Sequence, residues 1–213
     1  MLRTFDDIYE TMPWDAVDAV VFDVGQVLLS YNPQEILDEH VPDRPDLHPI
    51  LLEKIFRSPY RLMRDHGLMT RDEAIEVMIG RDEPLRPYIT RVMHNWVDLK
   101  EVLPEGLKTL QSCKAHGKKV YVLSNYADDA FAVVEHKYDF FNLFDAKFVS
   151  GRLKLMKPSE QIFQYVISAT GHEPSRVLFL DDTPGNVEGA LFCGWQSLCV
   201  SHPGKLTEFF GLE

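Results

Sequence analysis

Five short runs of apolar residues, rich in Val, Leu and Phe, stand out along the chain. They occupy residues 19–24, 118–125, 146–150, 176–182 and 196–200. Because these runs are apolar at nearly every position rather than at alternate positions, they are typical of strands buried on both faces of a sheet. The pattern therefore predicts five strands in the interior of the protein.

Segments with helical character separate the later strands. They lie at about 104–116, 127–137, 159–170 and 184–193. Pro104 suits a first helical turn, and Thr183 followed by Pro184 is typical of an N-cap and a first helical residue. Gly171 and Gly194 are placed to end the last two helices. Strands that alternate with helices predict an α/β fold with a doubly wound parallel sheet.

Residues 33–97 follow a different pattern, with no convincing strand. Seven prolines divide them into short helices: Pro33, Pro42, Pro45, Pro49, Pro59, Pro84 and Pro87. Thr70 and Glu73 form a capping box ahead of an apolar stretch. We expect a helical cap at 33–97, inserted into a catalytic core formed by residues 1–32 and 98–213.

The net charge gives information about binding partners rather than about the fold. The 213 residues include 22 basic and 33 acidic side chains, for a net charge of −11. Long-range repulsion then opposes non-specific binding to nucleic acid and to anionic membranes. We expect a small-molecule partner, no nucleic acid and no membrane, and the sequence leaves a monomer and a homodimer both open.

The N-terminus and the cysteines favour a cytoplasmic protein. The first residues are acidic and have no apolar core region, unlike a secretory signal. No segment approaches the roughly 20 apolar residues of a membrane helix. Cys113, Cys193 and Cys199 are odd in number and form no CxxC pair, so we interpret them as reduced, buried thiols.

Polar side chains occur where three of the predicted strands end. In chain order they are Asp23, Ser124, Asn125, Asp181 and Asp182. Taken singly, each has a structural explanation, as a turn cap, a helix cap or an acidic residue favoured at a helix N-terminus. Because ligands bind at the carboxyl ends of strands in open α/β sheets, their joint occurrence predicts a functional site.

Lys157 is a further candidate, just before Pro158 at a predicted helix start. A lone lysine there is usually a solvated side chain. With three carboxylates expected nearby, it becomes a plausible member of the site.

These residues together resemble the motifs of the haloacid dehalogenase superfamily. The matching stretches are "FDVGQVL" at 22–28, "VYVLSN" at 120–125, "KPSEQIF" at 157–163 and "FLDDTPGNVEGA" at 179–190. All four occur in order at predicted strand ends or helix starts, so the resemblance spans nearly the whole chain. The chain is similar in particular to the α-glucose-1-phosphate phosphatase type and to the phosphatase domain of epoxide hydrolases. The resemblance implies a Rossmann-like core with an inserted cap.

The resemblance also implies phosphoryl transfer through an aspartyl-phosphate. Asp23 would attack phosphorus, and water would then hydrolyse the intermediate. The resemblance implies Mg²⁺ as cofactor, bound by the carboxylates of Asp23 and Asp182 and the backbone carbonyl of Gly25. Asp181 and Asn186 would orient this site without binding the metal.

Substrate contacts are expected from both parts of the chain. The resemblance implies that the Ser124 hydroxyl donates to a phosphate oxygen, that Lys157 bridges nucleophile and phosphate, and that Asn125 adds to the cradle. In the cap, Arg64 and His66 are candidate substrate ligands, next to Tyr60 and Arg61 in one loop-like segment. A solvated basic face explains these four residues equally well.

Gly25 departs from the family pattern. Most phosphatases of the family carry an Asp there, which protonates the leaving oxygen and is typically worth about 10²–10⁴-fold in rate. Three explanations stay open: a better leaving group, a substitute such as water held by Gln26 or the side chain of His66, or a slow or inactive relative.

We therefore expect a Mg²⁺-dependent phosphatase that acts on a small phosphorylated metabolite, such as a sugar phosphate or a nucleotide-like ester. A 2-haloacid dehalogenase, a phosphomutase and a non-catalytic binding protein are the alternatives. Dehalogenases also lack the second Asp, but they need no metal. Without a cation, the adjacent pair Asp181 and Asp182 is a costly concentration of like charge.

Overall fold

The computed structural model describes residues 2–212, apart from the side chains of Asp98 and Leu99. Met1 and Glu213, the outer ends of the predicted core, lie outside the described residues. The five strands are β1 Ala19–Phe22, β2 Lys119–Ser124, β3 Ala146–Val149, β4 Val177–Asp181 and β5 Gln196–Cys199. They pair in parallel in the order β3-β2-β1-β4-β5. This confirms the predicted doubly wound parallel sheet, with strand ends within one or two residues of those predicted.

Eleven α-helices are assigned within the described residues. They are α1 Pro33–His40, α2 His48–Leu51, α3 Pro59–Asp65, α4 Arg71–Ile79, α5 Arg86–Asn95, α6 Pro104–Ala115, α7 Asp128–Lys137, α8 Ser150–Leu153, α9 Glu160–Thr170, α10 Pro184–Phe192 and α11 Gly204–Phe210. A π-helical turn, Leu52–Phe56, continues α2. Four of them, α6, α7, α9 and α10, are the predicted helices between the strands. None of the helices within residues 2–212 is both long and apolar enough to cross a membrane.

Each face of the sheet is covered by its own apolar layer. Val20 and Phe22 of β1 point to the layer that includes α6, α7 and α11. Ala19 and Val21 point to the opposite layer, which includes α9 and α10. Because successive side chains of a strand point to opposite faces, burial on both faces explains the nearly continuous apolar runs.

The ends of α9 and α10 follow local sequence signals, with one exception. Gly171 adopts the left-handed conformation, with φ 71°, and ends α9 as predicted. Thr183 precedes Pro184 as predicted, but its side chain does not cap α10. Its hydroxyl instead donates to Asp182 Oδ1 at 3.3 Å, and its backbone N–H donates to Asp181 Oδ1 at 2.8 Å. The acidic pair thus organises the start of this helix.

Residues 33–97, hereafter the cap segment, are all described by the structure and hold helices α1–α5 and no strand. They form a separate apolar cluster around Leu37, Leu51, Ile79, Ile89 and Val92, all fully buried. The predicted capping box is confirmed, since Thr70 and Glu73 exchange side-chain and backbone hydrogen bonds. The division of the chain into core and cap domains stays a prediction.

One local expectation for the cap segment is wrong. Residues 60–66 are not loop-like, because Pro59–Asp65 forms helix α3. Pro59 suits the first helical position, and the Ser58 hydroxyl caps the helix by accepting the Tyr60 N–H at 3.2 Å. This change sets which side chains of the helix share a face.

The cysteines match their predicted role only in part. All three are unpaired. Cys113 is buried as expected, whereas Cys193 and Cys199 are partly exposed.

Candidate active site

A cavity of about 320 Å³ lies at the carboxyl edge of the sheet. Its sheet side is lined by Asp23, Gly25, Ser124, Asn125, Lys157, Asp182 and Asn186. Its other walls include Gln26, Tyr31, Arg61, Leu62, Asp65, Trp96, Lys100 and Tyr126. The fold therefore brings residues from all four sequence motifs to one cavity, as expected for the carboxyl ends of parallel strands.

The backbone around Asp23 explains how its carboxylate reaches this cavity. The Asp23 N–H donates to the Leu180 carbonyl at 2.9 Å, which extends the parallel pairing one residue beyond β1. The next residues turn back sharply, because the Leu28 and Leu29 N–H groups both donate to the Val24 carbonyl. Asp23 thus stands between the end of a buried strand and a tight turn, with its side chain 11% exposed.

Three carboxylates meet at this edge. Asp23, Asp181 and Asp182 each offer an oxygen atom, and these atoms lie within 4.8 Å of one another. Burial raises the pKa of Asp182 to about 6, and the neighbouring charges of Asp23 and Asp181 add to this effect. A set of oxygen donors with crowded negative charge fits Mg²⁺. The residues present therefore suit the metal that the sequence predicts.

The oxygens of Asp181 are already engaged by protein donors. Its Oδ1 accepts from the Thr183 N–H at 2.8 Å and from Asn186 Nδ2 at 3.0 Å. Its Oδ2 accepts from Lys157 Nζ at 2.6 Å and from Asn186 Nδ2 at 3.1 Å. This environment favours Asp23 and Asp182 over Asp181 as metal ligands. Their assignment as ligands, with the Gly25 carbonyl, stays a prediction.

Lys157 is a buried cation that joins two of the carboxylates. Its Nζ lies 3.0 Å from Asp23 Oδ1 and 2.6 Å from Asp181 Oδ2, and it donates to the Leu123 carbonyl at 2.9 Å. Burial favours the neutral amine, but the charges of Asp181 and Asp23 outweigh burial and raise the pKa of Lys157. The ammonium group thus donates to Leu123 and Asp181 and forms an ion pair with Asp23. Lys157 is therefore placed to orient and neutralise Asp23, and its predicted contact with the phosphate stays a prediction.

Asn125 serves a structural purpose that the sequence did not predict. Its Oδ1 accepts from the Lys157 backbone N–H, and its Nδ2 donates to the Lys157 carbonyl, both at 2.9 Å. This two-point contact fixes the backbone of Lys157 beside β2. The side-chain amide thus positions Lys157, and its contact with a substrate stays a prediction, since Asn125 also lines the cavity.

Arg64 and His66 do not line this cavity. Arg64, 4% exposed, forms an ion pair with Asp129 on α7. The His66 ring nitrogen Nε2 lies 2.9 Å from the Lys154 carbonyl. Both side chains therefore join the cap segment to the core, and their roles as substrate ligands stay predictions. His66 is thus engaged away from the cavity that holds Gly25, and its role as a substitute acid stays a prediction.

Sequence reasoning missed several residues of the cavity, above all Lys100. It is 5% exposed, and its Nζ lies 4.7 Å from the ring centre of Tyr31 and 5.3 Å from that of Trp96. Burial lowers the pKa of Lys100 to about 8, with a further contribution from Arg61. Tyr31 and Lys100 lie on the two connections between core and cap segment. A segment inserted into a core must leave it and re-enter it at one place, so the residues that flank the segment lie close together. This signal was available in the sequence.

The fold and the site together place the chain among α/β enzymes that act at the carboxyl edge of a parallel sheet. The chain belongs to the haloacid dehalogenase-like hydrolases, since the family model matches residues 17–194.

Two curated relatives share parts of their length with this chain. A drimenol cyclase, drtB, of Aspergillus calidoustus is 28% identical over 208 residues, which cover 92% of this chain and 37% of the cyclase. The (S)-2-haloacid dehalogenase 4A of Burkholderia cepacia is 24% identical over 119 residues, which cover 56% of this chain and 51% of that enzyme. The matches thus span between about a third and a half of these relatives.

Solved structures of the same family share the fold. An L-2-haloacid dehalogenase of Xanthobacter autotrophicus, with chloropropionic acid covalently bound, has a TM-score of 0.64 at 19% identity over 85% of this chain and 76% of its own. A family enzyme of Bacteroides thetaiotaomicron, in complex with magnesium and inorganic phosphate, has a TM-score of 0.66 at 19% identity over 86% of this chain and 93% of its own. These comparisons do not establish the glucose-1-phosphate phosphatase subgroup, which stays a prediction.

Proposed function

We propose that this hydrolase is a Mg²⁺-dependent phosphatase that acts on a small phosphorylated metabolite, with Asp23 as nucleophile. One observation carries the proposal: Asp23, which forms a buried ion pair with Lys157, has a carboxylate oxygen within 4.8 Å of a carboxylate oxygen of Asp182. A metal bound by Asp23 and Asp182 relieves their mutual repulsion and attracts a phosphate. The magnesium and inorganic phosphate held by the structural relative from Bacteroides thetaiotaomicron support the same assignment.

The proposed reaction has two steps. A carboxylate oxygen of Asp23 bonds to phosphorus while the ester P–O bond breaks. The electron pair of the broken bond leaves with the alcohol oxygen. Water then attacks phosphorus, the bond to Asp23 breaks, and inorganic phosphate leaves. Lys157 holds the nucleophile in place throughout, and Ser124, which lines the cavity, donates to a phosphate oxygen. Bound Mg²⁺ supplies positive charge that offsets the repulsion between carboxylate and phosphate.

The cavity limits the class of substrate. A volume of about 320 Å³ is at the small end of the range for ligand pockets, about 300–1,000 Å³. A sugar phosphate or a nucleotide-like ester matches this size. We propose that the cap segment acts as a cap domain and that Arg61 and Leu62 of α3 contribute to substrate choice.

A 2-haloacid dehalogenase is the second candidate, because two of the relatives carry that name. A carboxylate can displace halide without a proton donor, which agrees with Gly25. The crowding of Asp23, Asp181 and Asp182 counts against it. Burial raises the pKa of Asp182, the charges of Asp23 and Asp181 add to this effect, and a cation would relieve that repulsion.

One experiment separates these candidates. Purified protein is given a panel of sugar 1-phosphates, sugar 6-phosphates, nucleotides, FMN and p-nitrophenyl phosphate, with Mg²⁺ or with EDTA, and 2-chloropropionate is assayed in parallel. We expect phosphate release that requires Mg²⁺ and is abolished by Asp23→Asn, with the fold retained by circular dichroism. Halide release that persists in EDTA would favour the dehalogenase, and the absence of both activities would contradict the proposal.

A further inference from the structure

Gly25 leaves the nucleophile without the usual acid beside it, but a second buried carboxyl group lines the same cavity. It belongs to Asp65, at the last position of α3 in the cap segment. We infer that Asp65 is the general acid that protonates the leaving oxygen. This inference rests on the proposed phosphatase function and deepens it.

The position of Asp65 is set by the loops that follow β2 and β3. Its carboxylate faces the backbone N–H of Ala127, three residues after Ser124, which favours the ionised form. Its backbone carbonyl accepts from the Ser150 hydroxyl at 2.5 Å, and that hydroxyl accepts from the Tyr126 N–H at 2.9 Å. The backbone of Asp65 is thus tied through Ser150 to Tyr126, two residues after the proposed phosphate ligand Ser124, although Asp65 belongs to the cap segment.

The surroundings of Asp65 suit a group that carries a proton near neutral pH. Asp65 is 6% exposed. The charged groups that face it are Arg61, with Nε 3.7 Å from Asp65 Oδ2, together with Arg64 and Lys100. Burial outweighs these three cations and raises the pKa of Asp65 to about 6. The phenols of Tyr31 and Tyr126 also face this group. A pKa close to the working pH is the optimum for a general acid.

Other proton donors at the site have different placements. Asp181 is fully buried and accepts four hydrogen bonds. Asp182 is a proposed metal ligand and must be ionised to act as one. Lys100 donates to the Ser30 carbonyl at 3.1 Å and lies among aromatic rings. Of the acidic residues that the structure shows lining the cavity, Asp65 is the one without a proposed role at the metal.

Asp65 gives up its proton in the first step of the reaction and regains a proton in the second. As Asp23 bonds to phosphorus and the ester bond breaks, the Asp65 carboxyl proton moves to the departing oxygen. The products of this step are the free alcohol, the phosphorylated Asp23 and the Asp65 carboxylate. Asp65 regains its proton from the water whose oxygen becomes part of inorganic phosphate in the second step.

Asp65→Asn tests this inference, because it removes the proton and leaves the shape nearly unchanged. We compare kcat/KM with Mg²⁺ for p-nitrophenyl phosphate, phenyl phosphate and β-glycerol phosphate, whose leaving groups depend increasingly on protonation. Since kcat/KM reports the steps up to departure of the alcohol, we expect a loss of about 10²–10⁴-fold for β-glycerol phosphate and far less for p-nitrophenyl phosphate. The same change at an exposed aspartate of the cap segment, Asp72→Asn in α4, is the matched control and should change none of the three.

A pH profile separates a catalytic role from a structural one. With β-glycerol phosphate, kcat/KM of the wild type should fall as Asp65 ionises above about pH 6. Asp65→Asn should lack this decline, and p-nitrophenyl phosphate should show little of it with either protein.

Several results would overturn the inference. An equal loss on all three esters would assign Asp65 a structural role and leave the phosphatase proposal intact. Asp65 would likewise not be the general acid if Lys100→Gln, rather than Asp65→Asn, selectively lowered hydrolysis of β-glycerol phosphate. The phosphatase proposal would again stay intact. No Mg²⁺-dependent hydrolysis of any ester by the wild type would instead contradict the proposed function itself.

Discussion

At the scale of single residues, Lys157 shows how burial and charge are balanced in this protein. Its side chain is 1% exposed, yet its pKa is raised because Asp23 and Asp181 contact it directly. A buried ion pair of this kind is weak evidence for stability as a whole, but the loss of one partner is costly. Lys157 therefore couples folding to the proposed chemistry.

Replacement of Lys157 by Met should remove the charge at similar side-chain length. We expect the free energy of unfolding to fall by about 3–5 kcal/mol, because two buried carboxylates lose their cation. The deficit should shrink in acid, where Asp181, whose pKa is raised by burial, becomes protonated. Denaturant unfolding at several pH values measures both effects.

The matched control is Lys147→Met, which breaks the partly exposed pair with Glu135 at 2.9 Å. Its cost should be less than about 1 kcal/mol. Equal losses for the two variants would contradict the special role of Lys157.

Gly25 offers a second prediction at this scale. A Cβ atom built at this position meets no atom within 4 Å, so a side chain has room there. Gly25→Asp should therefore fold, and combined with Asp65→Asn it should recover part of the lost hydrolysis of β-glycerol phosphate. The relevant comparison is kcat/KM of the double variant with that of Asp65→Asn. If the double variant folds and gains nothing, a carboxyl at position 25 does not reach the leaving group in this protein.

At the scale of elements, helix α6 packs very closely on the turn that follows the nucleophile. A Cβ added at Gly106 would lie 1.9 Å from the Val27 carbonyl oxygen. The turn also joins the start of α6 through the Leu103 N–H, which donates to the Leu28 carbonyl at 2.9 Å. The helix thus acts as a support for the loop that carries Asp23 and Gly25.

Gly106→Ala should force this contact apart. We expect a loss of about 1–3 kcal/mol in the free energy of unfolding, typical of overpacking. A decrease in kcat should accompany it, because the turn beside Asp23 must shift.

Gly185→Ala is the control, since a Cβ there meets nothing within 4 Å in helix α10. It should be neutral or slightly stabilising. Thermal unfolding and steady-state assays of both variants provide the comparison, and an unchanged Gly106→Ala protein would contradict the proposed support.

Most of the strands and helices of the core were predictable from the sequence. The apolar runs and the prolines and glycines at helix ends placed the strands and the helices between them within a few residues, because these signals are local. Helix α3 was missed although Ser58 and Pro59 mark its start. The prolines predicted short helices in the cap segment, but they did not fix where each helix begins and ends.

At the scale of the whole molecule, stability should depend on pH and metal together. Asp182 has a folded pKa of about 6 and a value near 3.8 when unperturbed, so the folded state binds its proton more tightly. Stability of the metal-free protein therefore loses a contribution from this group as pH rises from about 4 through 6. Mg²⁺ binds the ionised carboxylate of Asp182 and should restore the lost stability.

We expect Mg²⁺ to raise Tm more at about pH 7 than at about pH 5, with a gain near 2.7 kcal/mol when the metal is at 100 times its Kd. Thermal unfolding with Mg²⁺ and with EDTA at both pH values measures this. Asp182→Asn should lose most of the metal-dependent gain. A gain independent of pH, or one retained in that variant, would place the metal elsewhere.

The sequence by itself determined that the core is a parallel sheet, in which order the strands and helices follow along the chain, and which residues lie at the carboxyl edge of the sheet. Asp23, Ser124, Lys157 and Asp182 were predictable because the topology of a parallel sheet brings strand ends together wherever the strands occur in the chain. The same rule does not extend to the cap segment, whose residues reach the site through packing rather than through strand order.

Only the tertiary structure decided which face of α3 meets the cavity. Arg61 and Asp65 are four residues apart and lie on one face, whereas Arg64 points to Asp129 and His66 to Lys154. The sequence specifies the 3.6-residue period of the helix, but its rotation is fixed by long-range contacts such as that of Ser150 with Asp65. For this reason the sequence pointed to Arg64 and His66, and the fold placed Asp65 beside the nucleophile's pocket instead.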